Sequence, residues 1–559
     1  MHQVMRGIIA SALLALAIPG AIAAPSVKLD NGTFTGKTPS LRTEGFYGIP
    51  FAQPPVGDLR FRLPVANSPY TGTHNATAFG LSCPQQAIAL PILTGLPQQV
   101  IDTVVNSIFG LVFPASEDCL TINVIRPAGT PAGAKLPVVA WIFGGGFELG
   151  SPSMYDGSVI VERSISIGKP VIYVSMNYRV AAFGFLASAE VRAAGVGNLG
   201  LQDRVALDPK VHLSLWRRPD KGHHLGAGFS PACTQARSFI FDRESAGAIS
   251  VALQMLGNGA NTEGLFRAGF MESGSPIPVG PVENGQKYYD QIVQQTGCAG
   301  ASDTLECLRT VPFASLKAAQ DATPSIFAYQ SLVLAWIPRE DGTFLKGNPQ
   351  SLVQQLQVAK VPFVTGDCDD EGTLFSLSTL NLTTDTAFAG WVKQFWLPSA
   401  STTQSNTFLS LYPSNILDGS PYDTGLLNGI TPQFKRIAAF QGDAVFQAPR
   451  RFFQQTLSGR QNQWAFLSKR EKAVPLLGSF HASDILNIYA DGELTDYLIY
   501  FTNNLDPNGP TVPSWPAYTK ASPNMMTFLD GLIPTTISQD TYRAAGMAFL
   551  TNITLQFPV

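Results

Sequence analysis

Residues 243–247 read Arg243-Glu244-Ser245-Ala246-Gly247 and differ at one position from G-x-S-x-G, the pattern of a sharp strand-to-helix turn that raises a serine above a β-sheet. In that turn a glycine precedes the serine by two residues, because the backbone there is strained and closely packed and a Cβ would collide. Arg243 occupies this position here. The match is either accidental or an altered functional turn, and the rest of the chain favours the altered turn.

Short β-branched and aromatic runs alternate with helical patterns along the chain. Such runs predict buried strands at residues 137–143, 171–175, 269–271, 362–365 and 464–467. Residues 246–256 predict a helix that ends at Gly257. Strands separated by helices indicate an α/β fold with a mostly parallel sheet covered by helices on both faces. No linker divides residues 24–559, which we interpret as a single catalytic domain.

The composition describes a protein with a large core and a weakly charged surface. The 559 residues are 45% hydrophobic and 14% charged, and the net charge is −3. This charge gives no electrostatic reason to expect nucleic acid or an anionic membrane as a partner.

The N-terminus predicts a secretory signal peptide at residues 1–23. Arg6 supplies positive charge, residues 8–18 are apolar but too short to span a bilayer, and residues 21–23 form an A-x-A cleavage site. No later run is long enough to span a membrane, so we expect a secreted, extracellular protein with no integral membrane segment after cleavage. Export favours disulfides. Four sequons are compatible with N-glycosylation: Asn31, Asn75, Asn381 and Asn552.

A serine nucleophile requires a base, and the base requires an orienting acid. Among the histidines only His481 follows Ser245, which fits the α/β-hydrolase order of nucleophile, acid and base. The ordinary alternative for His481 is a histidine in a surface loop.

Four candidate acids follow the strand predicted at residues 362–365: Asp367, Asp369, Asp370 and Glu371. A parallel sheet gathers functional residues at the carboxyl ends of its strands, so a catalytic acid is expected here. The alternative is a solvated acidic loop or a cation site. Spacing does not choose among the four carboxylates.

Three glycines, Gly144-Gly145-Gly146, and then Phe147 directly follow the strand predicted at residues 137–143. Three glycines alone predict only a turn. After a buried strand and upstream of the serine, they match a loop whose bare N–H groups stabilise an oxyanion.

Four longer runs, together with these features, resemble the type-B carboxylesterase/lipase family of secreted fungal lipases and cholinesterases. They are residues 48–55 (GIPFAQPP), 117–124 (EDCLTINV), 141–148 (WIFGGGFE) and 270–274 (FMESG). The resemblance extends through nearly the whole mature chain. It implies an α/β-hydrolase fold with a disulfide-tethered lid.

The resemblance also implies individual site residues. Glu371 would be the acid and His481 the base for Ser245. The oxyanion hole would consist of the N–H groups of Gly145, Gly146 and Ala246. The disulfides would be Cys83–Cys119 and Cys298–Cys307, and residues 84–118 would form the lid. No metal or organic cofactor is implied.

Residues 205–243 depart from the family. Members carry a helix and then F-G-G-D-P-x-x-V-T-I-x-G-E-S-A-G, whereas this stretch is unrecognisable, basic and too long. It is either genuine divergence or an inserted loop, or the result of a frame and splice error. Read one base later, the codons from Leu215 onward can encode F-G-G-D-P-T-K-V-T-I-W-G. The codons for residues 227–242, with the first two bases of the Arg243 codon, resemble a translated intron.

We hypothesise that the natural gene encodes an intact glycine at the turn. For the chain as written, Phe239-Ile240-Phe241 is expected to replace the lost strand. A charged side chain at position 243 is expected to cost about 2–5 kcal/mol, because an unpaired charge would be buried in a close-packed turn. We therefore expect Arg243 to reduce activity.

The sequence thus predicts a secreted serine hydrolase that cleaves carboxylic esters, with hydrophobic or lipid esters as substrates. One alternative is a binding or adhesion protein, since the resembled family includes adhesion proteins that have lost triad members. Another is a carboxylesterase for small soluble esters. From Val100 to Phe109 apolar residues recur at helical spacing, which predicts either a lid with transient lipid contact or a surface helix packed on the core.

Overall fold

The computed structural model describes residues 24–88, 114–131, 134–205 and 239–559. Three sequence predictions therefore lie wholly or largely outside the described residues. They are the signal peptide at 1–23, the lid helix within 84–118, and most of the anomalous segment at 205–243.

The described residues form fourteen strands. In chain order they are β1 Ser26–Leu29, β2 Asn31–Thr35, β3 Lys37–Ser40, β4 Thr43–Pro50, β5 Thr71–Asn75, β6 Thr121–Pro127, β7 Val138–Ile142, β8 Ile172–Met176, β9 Phe239–Glu244, β10 Ala268–Glu272, β11 Phe363–Cys368, β12 Gln463–Lys469, β13 Asn524–Leu529 and β14 Thr535–Gln539.

Eleven of these strands form one large sheet in the order β14-β13-β12-β11-β10-β9-β7-β8-β6-β4-β3. The strands from β13 to β8 are parallel to their neighbours, and the pairs at both edges are antiparallel. The remaining strands, β1, β2 and β5, form a separate small sheet. The mostly parallel sheet that the sequence predicted is confirmed.

Helices connect the strands of the large sheet. The α-helices are Ser158–Ser166, Ala181–Phe185, Ala189–Ala194, Leu199–Val205, Ala246–Ala260, Gln286–Gln295, Thr304–Thr310, Phe313–Asp321, Pro349–Gln354, Thr373–Ser376, Asp385–Trp391, Thr402–Leu411, Phe434–Gly442, Ala448–Leu457, Ile485–Tyr489, Glu493–Asn504 and Ala544–Gln556. Shorter 3-10 and π segments are Gly57–Leu59, Pro152–Met154, Val282–Gly285, Leu377–Thr379, Val392–Trp396 and Asp443–Gln447. None of the helices in the described ranges is both long and apolar enough to cross a membrane.

The middle of the large sheet is the core of the molecule. Every residue of β7, β8, β10 and β11 is buried. A strand that is covered on both faces needs apolar side chains at consecutive positions, which explains the unbroken run Val-Val-Ala-Trp-Ile in β7. The five strands predicted from such runs are all present.

Strand β9 fills the central position next to the serine. It is parallel to β7 on one side and to β10 on the other, with Arg243 in register with Ile142 and Met271. The prediction that residues 239–241 replace the lost strand is confirmed. The side chain of Arg243 is not among the described parts of the structure, so its energetic cost stays a prediction.

The helix after β9 begins at Ala246, as predicted. Its bounds extend to Ala260, but Gly257 has φ −60° and ψ 156°, so the regular helix ends where the sequence predicted. Because β7, β9, β11 and β12 are all parallel, the residues that follow them meet at one edge of the sheet.

Both implied disulfides are formed. Cys83 is bonded to Cys119 and Cys298 to Cys307, while Cys368 is a buried free thiol. The first disulfide closes the loop that contains the predicted lid.

Candidate active site

Ser245 lies in a strained turn between β9 and the following helix. Its φ of 57° and ψ of −129° place it in a region that residues with a Cβ rarely occupy. The Ser245 N–H donates to the carbonyl of Glu272 (2.9 Å), and the Ser245 carbonyl accepts from the N–H of Ile249 (2.9 Å). The neighbouring strand and the helix therefore hold the turn in place.

Gly247 makes the tight turn sterically feasible. A Cβ at this position would lie 2.2 Å from the carbonyl oxygen of Ile142 in β7. The second glycine of the pattern is therefore required by close packing of the helix start against β7.

His481 faces Ser245 from the loop that follows β12. Its Nε2 atom is 2.8 Å from the Oγ atom of Ser245. The imidazole is only 5% exposed and packs against the rings of Phe375 and Phe446. This burial excludes the alternative of a surface-loop histidine.

Glu371 completes a chain of hydrogen bonds. Its Oε2 atom is 2.5 Å from Nδ1 of His481, and its Oε1 atom accepts from the N–H of Cys368 at 2.6 Å. Both contacts fix the carboxylate, which is 1% exposed. The geometry is that of a nucleophile, a base and an orienting acid.

The other three candidate carboxylates are held by cations instead. Asp367 pairs with Arg450 at 2.6 Å, and both Asp369 and Asp370 pair with Lys472 at 2.6 Å. Strand β11 extends to Cys368 and so includes Asp367. Of the four candidate acids, Glu371 is the one that bonds to His481.

Glu244 is a site residue that the sequence reasoning did not single out. Its Oε1 atom is 3.0 Å from Nε2 of His481, and the side chain is 3% exposed. Burial raises the pKa of Glu244 above its usual value, although His481 opposes the shift. Its position beside Ser245 at the end of a buried strand was the available signal.

His481 is surrounded by acidic groups. Burial disfavours the imidazolium, but the carboxylates of Glu371 and Glu244 outweigh this effect and raise the pKa of His481 to about 10. Asp484, three residues further on, is also buried and was also missed by the sequence reasoning. Burial, followed by the charges of Glu371 and Glu244, raises the pKa of Asp484 to about 8.

The glycine loop after β7 lies directly against the serine. Gly145 and Gly146 have φ values of +108° and +63°, and a Cβ on Gly144 would lie 2.8 Å from Cβ of Ser245. Within the described backbone, no carbonyl accepts a hydrogen bond from the N–H of Gly145, Gly146 or Ala246. N–H groups without a backbone carbonyl partner are the donors that an oxyanion hole uses.

A cavity of about 480 Å³ opens beside these groups. Glu244, Ser245 and His481 lie in its wall together with the glycine loop. Most of the remaining wall is apolar and includes Leu149, Ile326, Phe327, Leu374, Phe375 and Leu486. The cavity has the size and lining expected for a small apolar ligand.

A family model and several fungal proteins match the chain. The sequence model of the Carboxylesterase family matches residues 23–207 and 243–468. The interruption at 208–242 falls within the segment that the sequence reasoning found anomalous.

Fungal proteins resemble the chain over nearly its full length. "Lipase 4" of Diutina rugosa is 42% identical, with 97% of this chain and 98% of the relative covered. "Secreted lipase 1" of Botryotinia fuckeliana (strain B05.10) is 41% identical, with coverages of 90% and 87%.

The fold is also similar to a solved structure, Aspergillus niger EstA. The TM-score is 0.77 at 24% identity, and the match covers 96% of this chain and 99% of that chain. Together with the large mixed sheet, this likeness confirms the α/β-hydrolase fold.

Proposed function

The chain belongs to the carboxylesterase family, and on that premise we propose that it is a secreted serine hydrolase that cleaves carboxylic esters of hydrophobic acyl groups through an acyl-enzyme. The observation that carries the proposal is the hydrogen-bonded chain from Ser245 through His481 to Glu371.

In the proposed mechanism the Oγ atom of Ser245 attacks the ester carbonyl. Nε2 of His481 takes the serine proton and then delivers it to the leaving alcohol. Glu371 keeps Nδ1 of the imidazole protonated and stabilises the imidazolium that forms. Water, activated by the same histidine, then releases the acid.

The negative charge that develops on the carbonyl oxygen needs hydrogen-bond donors that are already in place. We assign this role to the N–H groups of Gly145, Gly146 and Ala246. The helix that starts at Ala246 adds its positive dipole end at the same point.

The apolar lining of the cavity favours a substrate with a hydrophobic acyl group. Burying hydrocarbon in such a pocket stabilises the complex by roughly 0.8 kcal/mol for each CH₂ group. The fungal relatives are named lipases, which also favours lipid esters over small soluble ones.

Covalent labelling of the expressed chain with a long-chain alkyl fluorophosphonate tests the proposal. We expect one label per molecule, at Ser245, and none in Ser245→Ala. Ser250→Ala is the matched control, because its hydroxyl bonds to the carbonyl of Ala246 one turn along the same helix. Labelling of Ser245→Ala would contradict the assignment of Ser245 as the nucleophile. A wild-type chain that binds ligand without reacting would favour the non-catalytic alternative.

A further inference from the structure

Asp370 is a completely buried carboxylate in the turn that carries Glu371. Its Oδ1 atom accepts from Oγ of Ser420 (2.9 Å) and the N–H of Tyr422 (2.8 Å). Its Oδ2 atom accepts from the N–H of Ser479 (2.9 Å) and from Nζ of Lys472 (2.6 Å). Each oxygen therefore accepts two hydrogen bonds. Only one of the four donors, Nζ of Lys472, is charged, so the other three add directional contacts beyond charge neutralisation.

The bonds to Ser479 connect the two halves of the site. The Asp370 N–H also donates to the Ser479 carbonyl at 3.0 Å, and Asp370 forms an isolated parallel bridge with Phe480. Asp370 immediately precedes Glu371, and Ser479 precedes His481 by two residues. The turn of the acid and the loop of the base are thus joined by backbone and side-chain bonds at the same point.

A glycine in the loop of His481 leaves room for the Asp370 carboxylate. Gly478 has a φ of +60°, and a Cβ there would lie 2.3 Å from Oδ2 of Asp370. An L-residue would be disfavoured both by the backbone angle and by this collision. The loop of His481 therefore fits closely around the Asp370 side chain.

We propose that Asp370 is a positioning residue that holds the loop of His481 in register with Glu371. The inference rests on the proposed function, because it concerns the same serine, histidine and glutamate. The contact from His481 Nδ1 to Glu371 Oε2 spans 2.5 Å, so a small shift of the loop would break it. Displacements of about 1 Å in a catalytic group lower rates by roughly a hundredfold.

Asp370→Asn is the decisive variant, and Asp369→Asn is its matched control. In Asp370→Asn an NH₂ group, which is a donor, replaces one of the two accepting oxygens. In one orientation of the amide it faces the donors of Ser479 and Lys472, and in the other it faces those of Ser420 and Tyr422. Asp369 is also buried and pairs with Lys472, but its side-chain ion pairs are with Lys469 and Lys472 and not with residues 478–481.

The first readout is the low-field proton resonance of the His481–Glu371 hydrogen bond, assigned by its loss in His481→Gln. We expect Asp370→Asn to displace or remove this resonance and Asp369→Asn to retain it. The measurement does not require turnover, so it separates failure of this inference from failure of the proposed function.

The second readout is hydrolysis per phosphonate-titrated site. We expect kcat of Asp370→Asn to fall about ten- to a hundredfold with KM changed less than about threefold. The inference would be overturned if Asp370→Asn kept the resonance at its wild-type position. It would also be overturned if the variant only had fewer titrated sites, with kcat per site unchanged. If Asp370→Asn does not fold, Gly478→Ala tests the same contact from the loop side and must displace the resonance.

Discussion

The Oε1 atom of Glu244 lies 3.0 Å from Nε2 of His481, the same nitrogen that lies 2.8 Å from Oγ of Ser245. A carboxylate therefore lies close to the nitrogen that would take the serine proton. Glu244, with Glu371, favours the imidazolium form of His481 and raises the pKa of His481. Its charge thus makes the neutral, basic form of His481 harder to reach.

A pH dependence follows from this contact. Hydrolysis needs the neutral imidazole, so kcat/KM is expected to rise as the pH rises through the pKa of His481, which is raised to about 10. Glu244→Gln removes one of the carboxylates that raise this pKa, so the rising limb should move to lower pH. The measurement is kcat/KM against pH for both proteins.

Glu148→Gln is the control for that experiment, because Glu148 is buried near the glycine loop and bonds to the N–H of Ile326. Its profile should keep the wild-type position. A Glu244→Gln profile that coincides with the wild type would show that the Glu244 charge does not act on the base.

The proposed triad predicts a graded loss of turnover. His481→Ala should lower kcat by about 10⁴ to 10⁶ with folding retained, because it removes the base of the proposed triad. Glu371→Gln should be less severe, because Nε2 remains while the orienting charge is lost. The measurements are kcat with a soluble ester and the circular dichroism spectrum. Near-normal hydrolysis by His481→Ala would contradict the assignment.

The hypothesis of a frame and splice error makes a prediction about the messenger RNA. The transcript should lack the stretch that encodes residues 227–242 and should encode G-E-S-A-G around the nucleophile. The family match is interrupted at 208–242, within the segment concerned. Sequencing the transcript across codons 200–250 is the measurement. A transcript that encodes Arg243-Glu244-Ser245 in frame, and yields an active protein, would disprove the hypothesis.

The loop between Cys83 and Cys119 predicts a response to lipid surfaces. Activity on a long-chain triglyceride should rise sharply once the substrate forms an interface, because the apolar face of a lid would then turn to lipid. Replacing Ile101, Val105 and Phe109 by serine should weaken that rise while activity on a soluble short-chain ester persists. Hydrolysis of short-chain esters alone, without an interfacial response, would favour a general carboxylesterase.

Much of the sheet could be predicted because buried parallel strands require continuous apolar runs. His481 could be selected because it is the only histidine after Ser245. The acid could not be selected from residue types alone. Four carboxylates lie within residues 367–371, and which of them reaches His481 depends on tertiary contacts, such as the ion pair of Asp367 with Arg450.

The acidic surroundings of the base were harder to predict. Glu244 occupies the last position of β9, and the pattern around Ser245 leaves the residue type at this position open. Its contact with His481 forms only when the loop after β12 folds over the end of β9. Asp484 is a similar case, because a single acidic residue after a histidine gives no sign that it will be buried.

The order of the strands places the site's components far apart along the chain. Ser245 and His481 are separated by 236 residues, and Glu371 and His481 by 110. Contacts of such long range are costly in chain entropy and form slowly during folding. A collapsed chain with most of its helices would still lack a working site. Recovery of ester hydrolysis during refolding should therefore lag behind recovery of helical structure.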